Sequence, residues 1–269
     1  MFLANRSRKP QRHYVRLATA CAAFILIALG VWAVAQAQQG RQEVRQVKSS
    51  RNNVQRSRAS DDAIESSWST DGQRVEVRAR NVELSDDGRA IRAIRDNGYL
   101  FISDKRDGGP RELRVGPGTN GNFSTSYSVR GQQREFNEEA RTWLAQTLLE
   151  FVRNSGYAAD QRVNWLLSQQ GPSGVLDEVS VIPSDNIKRI YLQKLAEKGN
   201  LNAANLIQVI EKARQEVTSD FELTEFLLAI KGQVNMSSEV RAAFMKTVDR
   251  LQSDSDRRKV LSAVATSGG

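Results

Sequence analysis

The sequence predicts an α+β protein: an N-terminal transmembrane or signal helix, a small antiparallel β-meander, then an all-α array of helical hairpins. Three observations carry that reading. Residues 17–37 form an uninterrupted apolar run, residues 63–136 alternate in short stretches broken by turn residues, and residues 184–265 write one helical unit more than twice. The divisions that follow are a basic leader and anchor or signal at 1–39, a flexible basic linker at 40–62, a β region at 63–136 and a helical repeat region at 137–269.

The leader reads LATACAAFILIALGVWAVAQA at residues 17–37, with no charge between Arg16 and Arg41. As a helix, 21 residues rising about 1.5 Å each reach the roughly 30 Å of a bilayer's hydrocarbon. A single-pass inner-membrane anchor fits that length. A secretory signal fits as well, with a basic start, an apolar centre and Ala-x-Ala cleavage sites ending at Ala35 or Ala37. Five Lys/Arg precede the run and six follow it before Ser60, so flanking charge barely sets orientation. The short basic N-terminus directly before it favours export, with the C-terminal region periplasmic. A cytoplasm-facing, membrane-anchored scaffold is the reading that the balanced charges leave open.

The formal net charge of +8 suggests nucleic acid until it is located. Residues 1–60 hold eleven Lys/Arg and one acid, Glu43, whereas 28 basic and 30 acidic residues lie beyond Ser60, a net of −2. A nucleic-acid binder needs its basic charge on the folded face. The excess here sits in the leader and linker, so no nucleic-acid partner is expected.

In the β region Val75, Val77 and Ala79 alternate with Glu76 and Arg78, as a half-buried strand requires. Residues 89–94 read the same way. Asp96-Asn97-Gly98 predicts a turn before a strand at residues 99–102, and Asp107-Gly108-Gly109-Pro110 another before residues 112–115. After the glycine-rich loop at 116–121, Phe123, Thr125, Tyr127 and Val129 share a strand face. That loop lacks the lysine and following helix of a phosphate-binding loop. Five or six short strands are expected.

Asn137 caps the first helix, Glu138 and Glu139 suit its positive end, and Gly156 stops it. A second helix spans residues 160–170, ended by Gly171-Pro172, and a short third spans 173–181. The repeats follow. Ser184-Asp185, Ser219-Asp220 and Ser253-Asp254 each open an apolar-periodic run, 35 and then 34 residues apart, with Leu192, Leu227 and Leu261 eight residues after each serine. Such a period marks stacked helical hairpins, which commonly bind macromolecules. Ser219 and Glu222 form a capping box, and Ser184 and Ser253 are plain serine caps. Capping explains the pairs, and Asp185, Asp220 and Asp254 are the candidate interaction residues.

No catalytic constellation stands out. The one histidine, His13, and the one cysteine, Cys21, both lie in the leader, which removes His-based triads, thiol nucleophiles and His- or Cys-ligated metal from the rest. No cofactor or metal is expected. An enzyme would have to assemble carboxylates distant in sequence.

The string Gly98-Tyr99-Leu100-Phe101-Ile102, then Arg111-Glu112-Leu113-Arg114-Val115, then Arg134-Glu135-Phe136 leading to Trp143-Leu144, the Ser-Asp units and Arg257-Arg258-Lys259-Val260-Leu261 follow one order. It resembles the C-terminal extracytoplasmic region of membrane antirepressor metallopeptidases of the beta-lactam sensor-transducer type, over about residues 63–265. The His-Glu-x-x-His motif, its membrane domain and any Ser-x-x-Lys motif are missing, so neither peptidase activity nor penicillin binding carries over. The resemblance implies a sensing or docking module without its peptidase. The expectation is a non-catalytic envelope module with a protein partner.

Overall fold

The computed structural model describes residues 56–60, 63–70, 72–106 and 108–266. The apolar run at 17–37 lies outside them. Among the described residues no helix is long and apolar enough to cross a membrane.

The chain opens as a seven-stranded antiparallel meander: β1 (Arg56–Ser60), β2 (Ala63–Thr70), β3 (Gln73–Leu84), β4 (Ile91–Asp104), β5 (Arg111–Pro117), β6 (Phe123–Val129) and β7 (Gln132–Arg134), each beside its sequence neighbours. β1 comes from the stretch expected to be linker. It pairs with β2 from Arg56↔Ser67 to Ser60↔Ala63. An edge strand needs main-chain partners on only one side, so it can form where no apolar alternation announces it.

The turn expected at Asp96-Asn97-Gly98 is a bulge instead, and β4 runs straight through it. The chain reverses earlier, at Ser85–Ala90. There the Ser85 hydroxyl accepts from the amides of Arg89 and Ala90, and the Ser85 amide donates to the Ala90 carbonyl at 2.8 Å. Asn81 and Asn97 both take left-handed backbone, at φ 51° and 54°, and the ladder slips between Arg80 and Val82. Asparagine tolerates that region because its side chain can bond locally, and Asn81 Nδ2 donates to the Asp96 carbonyl at 3.0 Å. The slip reverses the pleat. Val75, Val77 and Ala79 face inward before it, Val82 and Leu84 after it. An unbroken strand would have sent one of these sets into water.

Helix α1 (Glu138–Ser155) covers the inner face of the sheet. Asn137 accepts from the Ala140 amide at 3.1 Å, and Gly156 ends the helix at φ 71°. Its stripe of Trp143, Leu144, Leu148, Phe151 and Val152 packs on Trp68, Val77, Ile102 and Leu113 in one core.

Beyond it, α2 (Ala159–Val181), α3 (Asp185–Lys198), α4 (Ala203–Glu216), α5 (Asp220–Ile230), α6 (Ser238–Val248) and α7 (Asp254–Thr266) form a second core. Gly171, at φ 67° and ψ −164°, breaks α2 before Pro172, so its two halves form a hairpin of their own. Lys194 and Lys198 of α3 reach Asp160 in the first half, and Lys212 of α4 donates to Ser180 in the second. The helices thus stack in two rows. One runs from the first half of α2 through α3 and α5 to α7, the other from the second half of α2 through α4 to α6. A 3-10 turn, Lys231–Met236, joins α5 to α6.

Two caps differ from expectation. Ser184 makes no side-chain cap bond. Ser219 does cap the Glu222 amide, at 3.4 Å, but the reciprocal half of the box is missing. Glu222 Oε2 accepts from Arg189 at 2.5 Å, because the Ser219 amide is already taken by Asp185.

Sheet and stack meet at a buried ion cluster. Glu178 of α2, 6% exposed, accepts two bonds each from Arg153 of α1, at 3.0 and 2.9 Å, and from Arg162 of α2, at 3.3 and 3.2 Å. Burial alone would raise the Glu178 carboxyl, but these bonds and the two positive charges outweigh it and hold the group below its ordinary value. Arg162 also donates to the Asp87 carbonyl at 2.8 Å, and its guanidinium lies 4.9 Å from the centre of the Trp165 ring. Tyr157 of the α1–α2 connection donates to the Val82 carbonyl. The tip of the β3–β4 arm is thereby fixed to the helices.

At Gly98 an added Cβ would lie 2.5 Å from the Arg95 carbonyl and 2.8 Å from the Arg80 carbonyl, both backbone. Gly98→Ala should therefore lower stability by about 1–3 kcal/mol, measured by urea unfolding. A change within 0.5 kcal/mol, on the order of an ordinary surface substitution, would show that the bulge is not rigid.

Candidate functional site

The recurring aspartates act between repeats. Asp185 Oδ2, at the start of α3, accepts from the amides of Thr218 and Ser219 at 2.8 Å each and from the Thr218 hydroxyl at 2.6 Å. Asp220 Oδ2, at the start of α5, accepts from the amides of Gln252 and Ser253 at 2.7 and 2.8 Å. Each therefore holds the entry to the next helix in its row. The first residues of a helix have orphan amides, and a carboxylate at a neighbouring helix start serves two of the backbone donors leading into it. Asp254 occupies the same place on α7, but its carboxylate meets Arg257 at 3.2 Å and is 81% exposed. Leu192 and Leu227 are fully buried, whereas Leu261 is 38% exposed. Asp185 and Asp220 are thus occupied inside the stack, and Asp254 faces outward.

A concave site that sequence reasoning missed lies where β4 and β5 meet α1. It is a cleft of about 450 Å³ lined by Asp104, Arg106, Arg111, Glu139, Trp143 and Glu150, among others. Leu100, Ile102 and Asp104 share the inward face of β4, so an acid stands at a core position, 4% exposed. Its oxygens are well supplied. Oδ1 accepts from the Arg106 amide at 2.9 Å and from Arg106 Nε at 3.0 Å; Oδ2 accepts from Arg106 at 2.9 Å and from the Trp143 indole at 2.8 Å. Burial favours its neutral form, yet the bonds from Arg106 and Trp143 prevail and hold it below its ordinary value. Arg106 also donates to Glu150 at 2.7 Å. For Glu150 the balance reverses: burial pushes the carboxyl up despite Arg106 and a hydrogen bond from Trp68. One carboxylate kept charged beside another pushed toward neutrality is the pattern of an acid–base pair. Here one guanidinium bridges both, as a structural clamp would. The signal in the sequence was the inward parity of Asp104.

The outer face of the sheet carries a third feature. Phe101 lies between Arg78 on β3 and Arg114 on β5, whose guanidinium carbons stand 5.7 and 5.3 Å from the ring centre. Alongside, Tyr99, Gly116, Ser124 and Ser126 line a shallow groove of about 550 Å³ that ends at β6. Arg78 also pairs with Glu76, and Arg114 with Glu112 at 3.5 Å, so charge on this face is largely balanced. Among the described residues no group of three or more His, Cys, Asp or Glu side chains is placed to hold a metal ion.

Two outcomes test this geometry. Asp220→Ala should cost about 1–3 kcal/mol, since it removes two hydrogen bonds to a charged acceptor. Asp254→Ala should change stability by less than about 0.5 kcal/mol, and equal costs in urea unfolding would refute the rung assignment. Asp104 and Glu178 are both held below their ordinary values of 3.8 and 4.5. Their contribution is complete above about pH 4.5, the higher of the two unperturbed values, and is lost as pH falls through the lower folded values. An unfolding midpoint constant from pH 6 down to about pH 3, below both unperturbed values, would contradict both shifts.

Set against family models, curated proteins and solved structures, the chain matches none.

Proposed function

We propose that this chain is a non-catalytic protein-interaction or sensory module of the bacterial cell envelope. It is held at the inner membrane by residues 17–37, or released by cleavage near Ala35 or Ala37, with the folded part outside the cytoplasm. The observation that carries the reading is the pair of aspartate rungs joining α3 to α5 and α5 to α7. They hold successive hairpins in register and so extend one ridged surface, the means by which helical stacks engage other macromolecules. The resemblance of residues 63–265 to sensor-transducer outer regions agrees with it. The partner is a protein, met through the helical surface and the sheet edge.

A second reading, a carboxylate enzyme, is favoured by one observation, the opposed shifts of Asp104 and Glu150 in the cleft. Against it, Asp104 already accepts four hydrogen bonds and Arg106 occupies the space between the two acids.

Topology decides the location. A tag placed after Gly269 should be open to protease in intact spheroplasts, and the mature mass should show whether residues 1–37 are retained. A protected tag would overturn the envelope reading. Glu150→Gln separates the function classes: binding of a captured partner should be unchanged, within about twofold. A hydrolytic activity lost in this variant while its melting temperature is kept would instead establish the enzyme.

A further inference from the structure

The sheet ends in an edge that is bare over part of its length. β7 pairs only with Tyr127, Ser128 and Val129 of β6. Phe123, Ser124, Thr125 and Ser126 are paired to β5 on one side, and among the described residues no strand lies on the other. All four are exposed, Phe123 by 39%.

The direction of the free backbone groups follows from the ladder. Gly118 N donates to Asn122 O and Arg130 N to Pro110 O, each at 2.8 or 2.7 Å, in the same register as the β5–β6 pairs. Even-numbered residues of β6 therefore turn their amides and carbonyls toward β5, and odd-numbered ones turn theirs away. Tyr127 and Val129 spend these groups on Arg134 and Gln132. Phe123 and Thr125 present two donors and two acceptors to the outside. Natural edges are blunted by charge, proline or a bulge, whereas this stretch reads Phe-Ser-Thr-Ser.

We infer that β6 is the contact of a symmetric dimer, in which the bare stretch pairs antiparallel with the same stretch of a second copy. One register engages the free groups of both Phe123 and Thr125. Phe123 must face the copy's Thr125, and Thr125 the copy's Phe123, each pair exchanging two hydrogen bonds, with Ser124 opposite Ser124 on the two-fold axis. A shift that centres on Thr125 would bring the copy against Tyr127, whose outer groups belong to β7. The slot closes where β7 begins, and the strand meant to fill it turns back at residues 119–121, in the 3-10 turn Thr119–Gly121. Ser124 falls at a narrow, non-hydrogen-bonded position, where two small hydroxyls fit. With no charge on the stretch, the two copies do not repel one another. An isologous contact of this kind closes at two chains and does not propagate into fibres.

The test uses the full-length chain carrying Cys21→Ser, so that introduced cysteines are the only ones. Directly opposed residues at a narrow site lie about 4.5 Å apart between Cα atoms, within disulfide reach. Ser124→Cys should cross-link into dimers under a copper–phenanthroline oxidant, and Thr125→Cys, displaced diagonally from its copy, should not. Thr125→Pro removes an outward donor while leaving the β5 ladder whole. It should weaken self-association in sedimentation roughly 10–30-fold, the effect of two lost hydrogen bonds. Equal cross-linking at both positions would overturn the register. A parent chain that stays monomeric at millimolar concentration, or that binds an extended peptide on β6 without self-associating, would overturn the dimer. A Thr125→Pro variant that folds and still associates as the parent does would do the same.

Discussion

A carboxylate and a guanidinium buried together, Glu178 and Arg162, with the part-exposed Arg153 beside them, set the relation between sheet and helices. Taking ions out of water costs several kcal/mol each, so such a cluster survives only where hydrogen bonds saturate it. Glu178 accepts from both arginines, and Arg162 spends a further donor on the Asp87 carbonyl and lays its face against Trp165. The carbonyl dipole and the ring face add to the carboxylate in stabilising the buried Arg162 charge. Because Asp87 sits at the tip of the β3–β4 arm, the cluster constrains three elements at once. Removing Glu178 would leave the buried Arg162 charge without its carboxylate, the costly way to break such a pair.

That dependence explains the unusual length of β3 and β4. The body of the sheet needs them only as far as β5 and β2 extend, yet both run on past the paired bulge at Asn81 and Asn97. The extension carries Val82 and Leu84 onto α1 and brings the tip within reach of Arg162. The bulge is what lets one strand serve the sheet core with one parity and the helix with the other.

Periodicity made much of this legible in the sequence. The α+β order, the start of α1 at Asn137, the break at Gly171-Pro172 and the hairpin period can all be read from spacing, because each rests on local backbone chemistry. What stayed hidden is non-local. β1 depends on β2 for its hydrogen bonds and shows no apolar pattern of its own. Asp96-Asn97-Gly98 has the composition of a turn, and only the matching left-handed residue at Asn81 makes it a bulge. Glu222 belongs by spacing to a capping box, but a neighbouring repeat claims the amide it would serve. The aspartates were visible as a pattern while their acceptor role lay 32 to 34 residues downstream. The cleft at Asp104 had one faint mark, an acid at an inward strand position, and that mark did not say whether it performs chemistry or holds Arg106.

The aspartate rungs all point one way along the stack. A carboxylate in one hairpin organises the entrance of the following one, and its own helix start does not depend on it for capping. Damage to a rung would therefore be displaced: with Asp185 altered, the loosened backbone is at Thr218 and Ser219, one full hairpin away. In this chain the position of a lesion and the position of its symptom are separate places, offset by the repeat itself and always in the C-terminal direction.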